Sequence, residues 1–168
     1  MSVSRIMIIG GPGAGKSWLA FRLSRILDIP IYCIDAVVHD EKGELRKNAE
    51  IDNTVRSWAS QHQWIIEGGN SRTYSDRASR ATIIVHMKPP RWLRVYRVAI
   101  RGRLNLSLLY WSFKYDVMFG VKDELIMGSA REGVSKYTII TSKDADGFLK
   151  RLALKSNNER GVSNWPIC

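Results

Sequence analysis

The chain has little cysteine. There are two among 168 residues, Cys33 in an expected strand and Cys168 at the last position. Two such residues supply neither a disulfide framework nor the paired spacing of a metal site, and this usage suits a reducing compartment. Long apolar runs are also missing. The longest near the start, Ile6-Met7-Ile8-Ile9, is far too short for a signal peptide or a membrane span, and no Arg-rich transit segment precedes it. A cytoplasmic protein without membrane contact is therefore the expectation. Internal repeats, low-complexity tracts and linkers are absent, and from Arg77 to Tyr115 there is no acidic residue at all.

What is present is ordinary for a globular chain: 45% hydrophobic and 25% charged residues, in a length that fits one domain. The net charge of +10 points to anionic partners, phosphorylated metabolites or nucleic acid, without choosing between them.

The most informative stretch is Gly10-Gly11-Pro12-Gly13-Ala14-Gly15-Lys16-Ser17, followed by Trp18. An apolar run precedes it, and Trp18-Leu19-Ala20-Phe21-Arg22-Leu23 follows with apolar residues at helical spacing, so the context is strand, glycine turn, helix. A polyphosphate is held well by a ring of backbone N–H groups at the positive end of a helix dipole. Glycines let the backbone close into that ring. Lys16 would reach the β and γ phosphates of ATP and the Ser17 hydroxyl would ligate Mg²⁺. The bland alternative is a glycine-rich turn.

After a first helix ending near Asp28, Ile31-Tyr32-Cys33-Ile34 reads as a second strand ending at Asp35. Ligands of parallel sheets bind at the carboxyl ends of strands, which places Asp35 beside the phosphate loop. Alternatively Asp35 only caps the next segment. Residues 36–48 read as a substrate-covering segment, and a helix is expected from about Ala49 to Gln61. A buried strand, Gln63-Trp64-Ile65-Ile66-Glu67-Gly68-Gly69, then delivers a carboxylate and two glycines to the same edge. Glu67 would hold a water of the Mg²⁺ shell or orient the acceptor. A structural turn carboxylate is the alternative. Ala81 to Met87 is a fourth strand ended by Pro89-Pro90, and His86 near its end is assigned no chemistry.

In the acid-free block, Arg91, Arg94, Arg97 and Arg101 recur at intervals of three, three and four, which puts them on one helix face with Trp92, Val95, Tyr96 and Ala99 opposite. This suggests an apolar face anchoring an arginine stripe, with a phosphate compensating some of the charges. Arg91 and Arg94 read equally well as a solvated basic face, and Arg97, Arg101 and Arg103 are the better candidates for the site. The region from Arg77 to Lys114 also offers a route to nucleic acid. Two further helices, from Leu104 to Phe119 and Val121 to Glu132, form a lid or packing arm whose aromatic content makes a homodimer conceivable. Tyr137 to Thr141 is a fifth strand, followed by a helix from Ser142 to Leu154 with Ser142 as N-cap.

Taken together, Arg5 through Ser17, Tyr32-Cys33-Ile34-Asp35, Trp64-Ile65-Ile66-Glu67-Gly68 with Asn70, and Pro90-Arg91-Trp92-Leu93 with Arg97 and Arg101 resemble the DNA topology modulation proteins. That family is similar to adenylate kinase and the other small P-loop kinases. The resemblance covers residues 5 to about 103 well and 137 to 151 loosely. It implies an α/β, three-layer P-loop kinase fold: a five-stranded parallel sheet, helices on both faces and a helical lid. The domain would span residues 1–154, with the lid at about 104–135 and a polar tail at 155–168. It implies an ATP and Mg²⁺ site and phosphoryl transfer to a small, nucleotide- or nucleoside-like acceptor. Lys16 and the loop amides would hold the phosphates, Ser17 and Glu67 the metal shell. Asp35 would bind or deprotonate the acceptor hydroxyl, and Arg97, Arg101 or Arg103 would close over the transferring group. Four departures stand out: Trp18 replaces a usual hydroxyl residue, Glu67 stands where Asp is usual, His86 replaces another Asp, and the lid from Leu104 onward shows little of the family's polar, Pro-containing pattern. The alternatives are a nucleotide-dependent regulator bound to nucleic acid and a non-catalytic ATP binder.

Overall fold

The computed structural model describes residues 4–100 and 106–159. Five strands form one sheet, and every pairing is parallel: β1 (Arg5–Ile9), β2 (Ile31–Cys33), β3 (Trp64–Glu67), β4 (Ile83–Met87) and β5 (Ser135–Ile139), in the order β2-β3-β1-β4-β5. β1, β3 and β4 are apolar almost throughout because both faces of the sheet are covered. Successive side chains point to opposite faces and divide the core in two. Ile6, Ile8, Ile65 and Val85 pack with Leu19 and Leu23 of α1 (Lys16–Leu27) and Phe148 and Leu152 of α7 (Ser142–Glu159). Met7, Ile9, Ile66 and Ile84 pack with Val55 and Ala59 of α2 (Asn48–Ser60) and with Tyr74 and Ala78 of the short α3 (Tyr74–Ala78).

The helix boundaries follow local chemistry. α1 stops where Asp28 adopts a left-handed conformation and its N–H closes on the Ser24 carbonyl, with Pro30 just beyond. At α7 the N-cap is Thr141, not Ser142: the Thr141 hydroxyl accepts the Asp144 N–H at 3.2 Å, and the Asp144 carboxylate accepts the Thr141 N–H at 2.8 Å, a reciprocal capping box. The same helix runs past Leu154 to Glu159, with Ser156 buried, so the first residues of the expected tail continue it.

Three more helices cover the region after β4. They are α4 (Arg91–Ile100), α5 (Leu106–Met118) and α6 (Gly120–Ser129). Arg101 and Arg103 lie outside the described residues. The orientation of α4 is the reverse of the expected one. Its inward face carries Arg94, 2% exposed, and Val98, whereas Trp92 and Tyr96 are 69% and 57% exposed. The reason lies in the neighbour: α4 packs on the phosphate loop, where a methyl added at Gly13 would meet the Arg94 carbonyl oxygen at 2.4 Å. With the backbones that close, the Arg94 guanidinium lies against Gly11 beside the Tyr115 ring.

The acid-free block finds its counter-charges just beyond its end. Arg91 and Arg94 pair with Asp116, and Lys88 pairs with Glu124. Arg77 is fully buried and spent on backbone carbonyls. Arg77 and Arg94 therefore present no charge to a nucleic acid, and part of the compensation assigned to phosphate is supplied by carboxylates. None of the described helices is long and apolar enough to cross a membrane.

Candidate active site

The phosphate loop runs from the end of β1 into α1. Gly10, Gly13 and Gly15 have φ of +134°, +75° and +94°, conformations that side chains strongly disfavour. Gly10 is also pressed against β4, where an added methyl would meet the Met87 carbonyl oxygen at 2.3 Å. Gly15 is the last residue before α1, so the free N–H groups of the first helical turn open toward the loop. Inside the loop, the Lys16 ammonium donates to the Gly11 carbonyl at 3.1 Å, and the Ala14 N–H donates to the same carbonyl at 3.2 Å.

Strand order decides what stands next to this loop. β3 lies between β1 and β2, so Glu67 is the carboxylate adjacent to the loop and Asp35 stands one strand further out. The strand that follows α1 in the chain, the one expected beside β1, is thus not its neighbour in the sheet. The Ser17 hydroxyl donates to Glu67 Oε1 at 2.8 Å, with Glu67 only 2% exposed. Cys33 pairs with Glu67 in the ladder between β2 and β3. Burial, then the hydrogen bond and charge of Glu67, push the Cys33 thiol up to about 11, so at neutral pH it stays protonated beside the carboxylate. Asp35, itself exposed, follows on a 3-10 turn, Ile34–Val37, whose first residue is buried.

On the other side of the loop, a cleft of about 600 Å³ opens between the loop, the Pro89-Pro90 turn and the start of α7. Trp18, Trp92, Leu93, Arg97, Ile140 and Thr141 are among its lining residues. Arg97 reaches back to the loop, its Nη1 lying 3.7 Å from where a Gly15 methyl would be. The Arg22 guanidinium covers the Trp18 ring at 5.4 Å. Of the expected site residues, the structure thus brings together Lys16, Ser17, Glu67 and Arg97 with the loop from Gly10 to Trp18.

Sequence reading missed the back wall of the loop. Arg94 Nη1 and the Tyr115 ring lie 2.3 and 2.9 Å from an ideal Gly11 Cβ, and the Ser112 hydroxyl donates to the Pro12 carbonyl at 3.3 Å. Beneath them Asp123, fully buried, accepts hydrogen bonds from Tyr74 at 2.6 Å and Tyr115 at 2.8 Å. No local signal marks these residues, because Ser112 is 100 positions from its partner.

His86 joins this cluster, with Nε2 3.5 Å from Asp123 Oδ2. Burial pushes its imidazole below the ordinary 6.5, and the pull of Asp123 in the opposite direction is the weaker effect. The folded protein therefore holds this proton less tightly than the unfolded chain does. Its contribution to stability is present above about pH 6.5 and is lost as the pH falls below it. Denaturation midpoints measured between about pH 7 and 5 should fall more steeply for the natural protein than for His86→Asn.

No family model matches the sequence. A shikimate kinase of Rhodococcus jostii is 31% identical over 86 residues, a match covering 44% of this chain and 50% of that protein, so the chain spans about half the length of the curated relative it matches. Among solved structures, a shikimate kinase from Acinetobacter baumannii in complex with shikimate superimposes with a TM-score of 0.64 at 16% identity, covering 96% of this chain and 97% of that one. A gluconokinase from Sinorhizobium meliloti gives 0.57, also at 16% identity, over 94% and 98%. At such identities the likeness establishes the fold: the five-stranded parallel sheet and helices of the small P-loop kinases. It supports the P-loop kinase part of the resemblance and not the DNA topology modulation part.

Proposed function

We propose that this protein is a Mg²⁺-dependent kinase that transfers the γ-phosphate of ATP to a hydroxyl of a small molecule. The observation that carries this reading is the Ser17–Glu67 pair, a hydroxyl and a buried carboxylate 2.8 Å apart, at the mouth of a loop whose glycine conformations form an anion nest.

The residues fit a magnesium ion held mainly by phosphate and water. Ser17 and Glu67 offer hard oxygen donors, and among the described residues no three His, Cys, Asp or Glu side chains gather to hold a metal by themselves. When bound there, Mg²⁺ supplies charge neutralisation on the phosphates. Phosphoryl transfer needs positioning and electrostatics more than covalent help, and the chain provides both. The loop amides and Lys16 bind the phosphates, Arg97 approaches from the cleft side, and Trp18 and Trp92 offer apolar surface to the base. Asp35, at the end of β2, accepts the proton of the attacking hydroxyl. The alcohols bound by the neighbouring folds, shikimate and by name gluconate, suggest a polyol acid as acceptor.

The test is ADP release from Mg-ATP in the presence of shikimate, gluconate and nucleoside monophosphates. At least one acceptor should raise the rate above the acceptor-free background. Glu67→Gln should shift the magnesium requirement upward by roughly 10-fold while leaving the nucleotide affinity measured without metal unchanged. Background rates with every acceptor, together with an unaltered magnesium dependence, would refute the reading.

A further inference from the structure

Helix α5 is apolar on the side that the fold leaves bare. Its inner face is accounted for: Ser112 and Tyr115 stand against the phosphate loop, and Asp116 takes Arg94. A surface helix normally turns polar residues to the other side. Here Leu106, Tyr110, Phe113 and Val117 recur at intervals of four, three and four, which stacks them in one stripe, and each is between 52% and 77% exposed. Trp111 and Met118, also exposed, widen the stripe on one flank. Lys114 is the only charged residue on that side, and with Asp116 the helix carries no net charge.

Part of this surface is already ordered. The Arg91 guanidinium lies over the Phe113 ring at 5.0 Å and is held by Asp116 at 3.4 Å, and the Tyr110 and Trp111 rings meet edge to face at 5.9 Å. Rings fixed before a partner arrives lose little freedom on contact. A composition of aromatic residues and methionine with almost no charge is that of the centre of a protein–protein interface rather than its rim.

The area is also large enough. An aromatic side chain covers roughly 150–250 Å². At the exposures observed, the six side chains present on the order of 600 Å² of apolar surface, the upper end of what a monomer leaves bare. Val121 and Leu125, exposed just beyond on α6, bring it toward the roughly 800 Å² that each partner of a standard interface buries.

The stripe matches itself. Its spacing reads the same in both directions, with an aliphatic residue at each end and an aromatic pair in the middle. A second α5 laid antiparallel across a two-fold axis sets Leu106 against Val117 and Tyr110 against Phe113, each twice over. An anionic bilayer fits less well, because a helix that lies in a membrane surface sets its apolar face against a face rich in Lys and Arg, and α5 has one lysine.

We infer that α5 is the interface of a symmetric dimer of this chain, with the two helices antiparallel and Tyr110 of each copy against Phe113 of the other. The contact braces, from outside, the helix whose inner face walls the phosphate loop. It does not depend on the kinase reading.

The test is sedimentation equilibrium of the full chain at roughly 10 µM, above the weakest dissociation constants usual for an interface of this size. The natural protein should have twice the mass of one chain. Tyr110→Lys and Phe113→Glu, each at an exposed position, should weaken dimerisation by at least about 10-fold with unchanged circular dichroism. Mixing the two variants should restore a dimer, since their opposite charges then meet across the interface. Leu154→Lys, similarly exposed but on α7, should leave the dimer intact. A monomeric natural protein overturns the inference, as does a dimer indifferent to both single variants or a mixture that stays monomeric. A monomer that sediments with phosphatidylserine vesicles overturns it in favour of a lipid surface on the same face.

Discussion

Replacing Lys16 by alanine should lower kcat/KM for phosphoryl transfer by about 10²- to 10³-fold, the usual consequence of removing one preorganised positive donor from the reacting phosphate. The ammonium sits inside the loop on the Gly11 carbonyl at 3.1 Å. That single hydrogen bond to a neutral carbonyl contributes only about 0.5–1.5 kcal/mol, so moving the ammonium onto a phosphate costs little and its loss harms the fold little. The variant should melt close to the natural protein and still bind nucleotide weakly through the loop amides. Steady-state kinetics beside a thermal melt separate the two effects. A loss of less than 10-fold in kcat/KM would mean that the loop amides do the work without the lysine.

Asp123→Ala should be the most destabilising single change in the region that covers the loop. The carboxylate is fully buried and accepts from two tyrosine hydroxyls; burial first, and then its charge, raise both Tyr74 and Tyr115 above their ordinary pKa. Truncation strands two buried hydroxyls, each costing about 1–3 kcal/mol, and opens a small cavity, so a loss of about 3–5 kcal/mol is expected. For a chain of this size that is a fall in melting temperature of roughly 10 °C. Asp123→Asn keeps the shape and one acceptor and should cost about half as much. Because the Tyr115 ring forms the wall behind Gly11, nucleotide affinity should fall together with stability. Intact affinity in a destabilised Asp123→Ala protein would show that the wall does not shape the loop.

Where the sequence misleads, the misreading has a specific cause. The helical period of α4 is correct, and the same period allows either face to turn inward. Four arginines and four apolar residues look like a solvated stripe on an apolar base, until Asp116, which is 22 positions from Arg94, takes the guanidinium. Hydrophobic patterning assumes that charge goes outward, and a buried arginine paired with a half-exposed carboxylate breaks the assumption. The place of Asp35, one strand away from the loop, is hidden from the sequence for a different reason. Consecutive strands joined by a helix need not be neighbours, and here β3 is inserted between β1 and β2.

The features that the sequence by itself determined are those encoded within a few consecutive residues. They are the glycine conformations of the loop and the lysine and serine that follow it. They also include the alternation that splits the core between two sheet faces and the apolar runs that become β1, β3 and β4. Tertiary structure alone decided which distant groups meet. It brought Glu67 to Ser17 across 50 positions, turned Arg94 and Tyr115 against Gly11, and seated Arg77 beneath the turn after β3. Local patterns are set by steric and hydrogen-bonding rules that act over one turn or one pleat. Meetings across the chain are chosen by the burial and pairing of the whole core, which no single stretch contains.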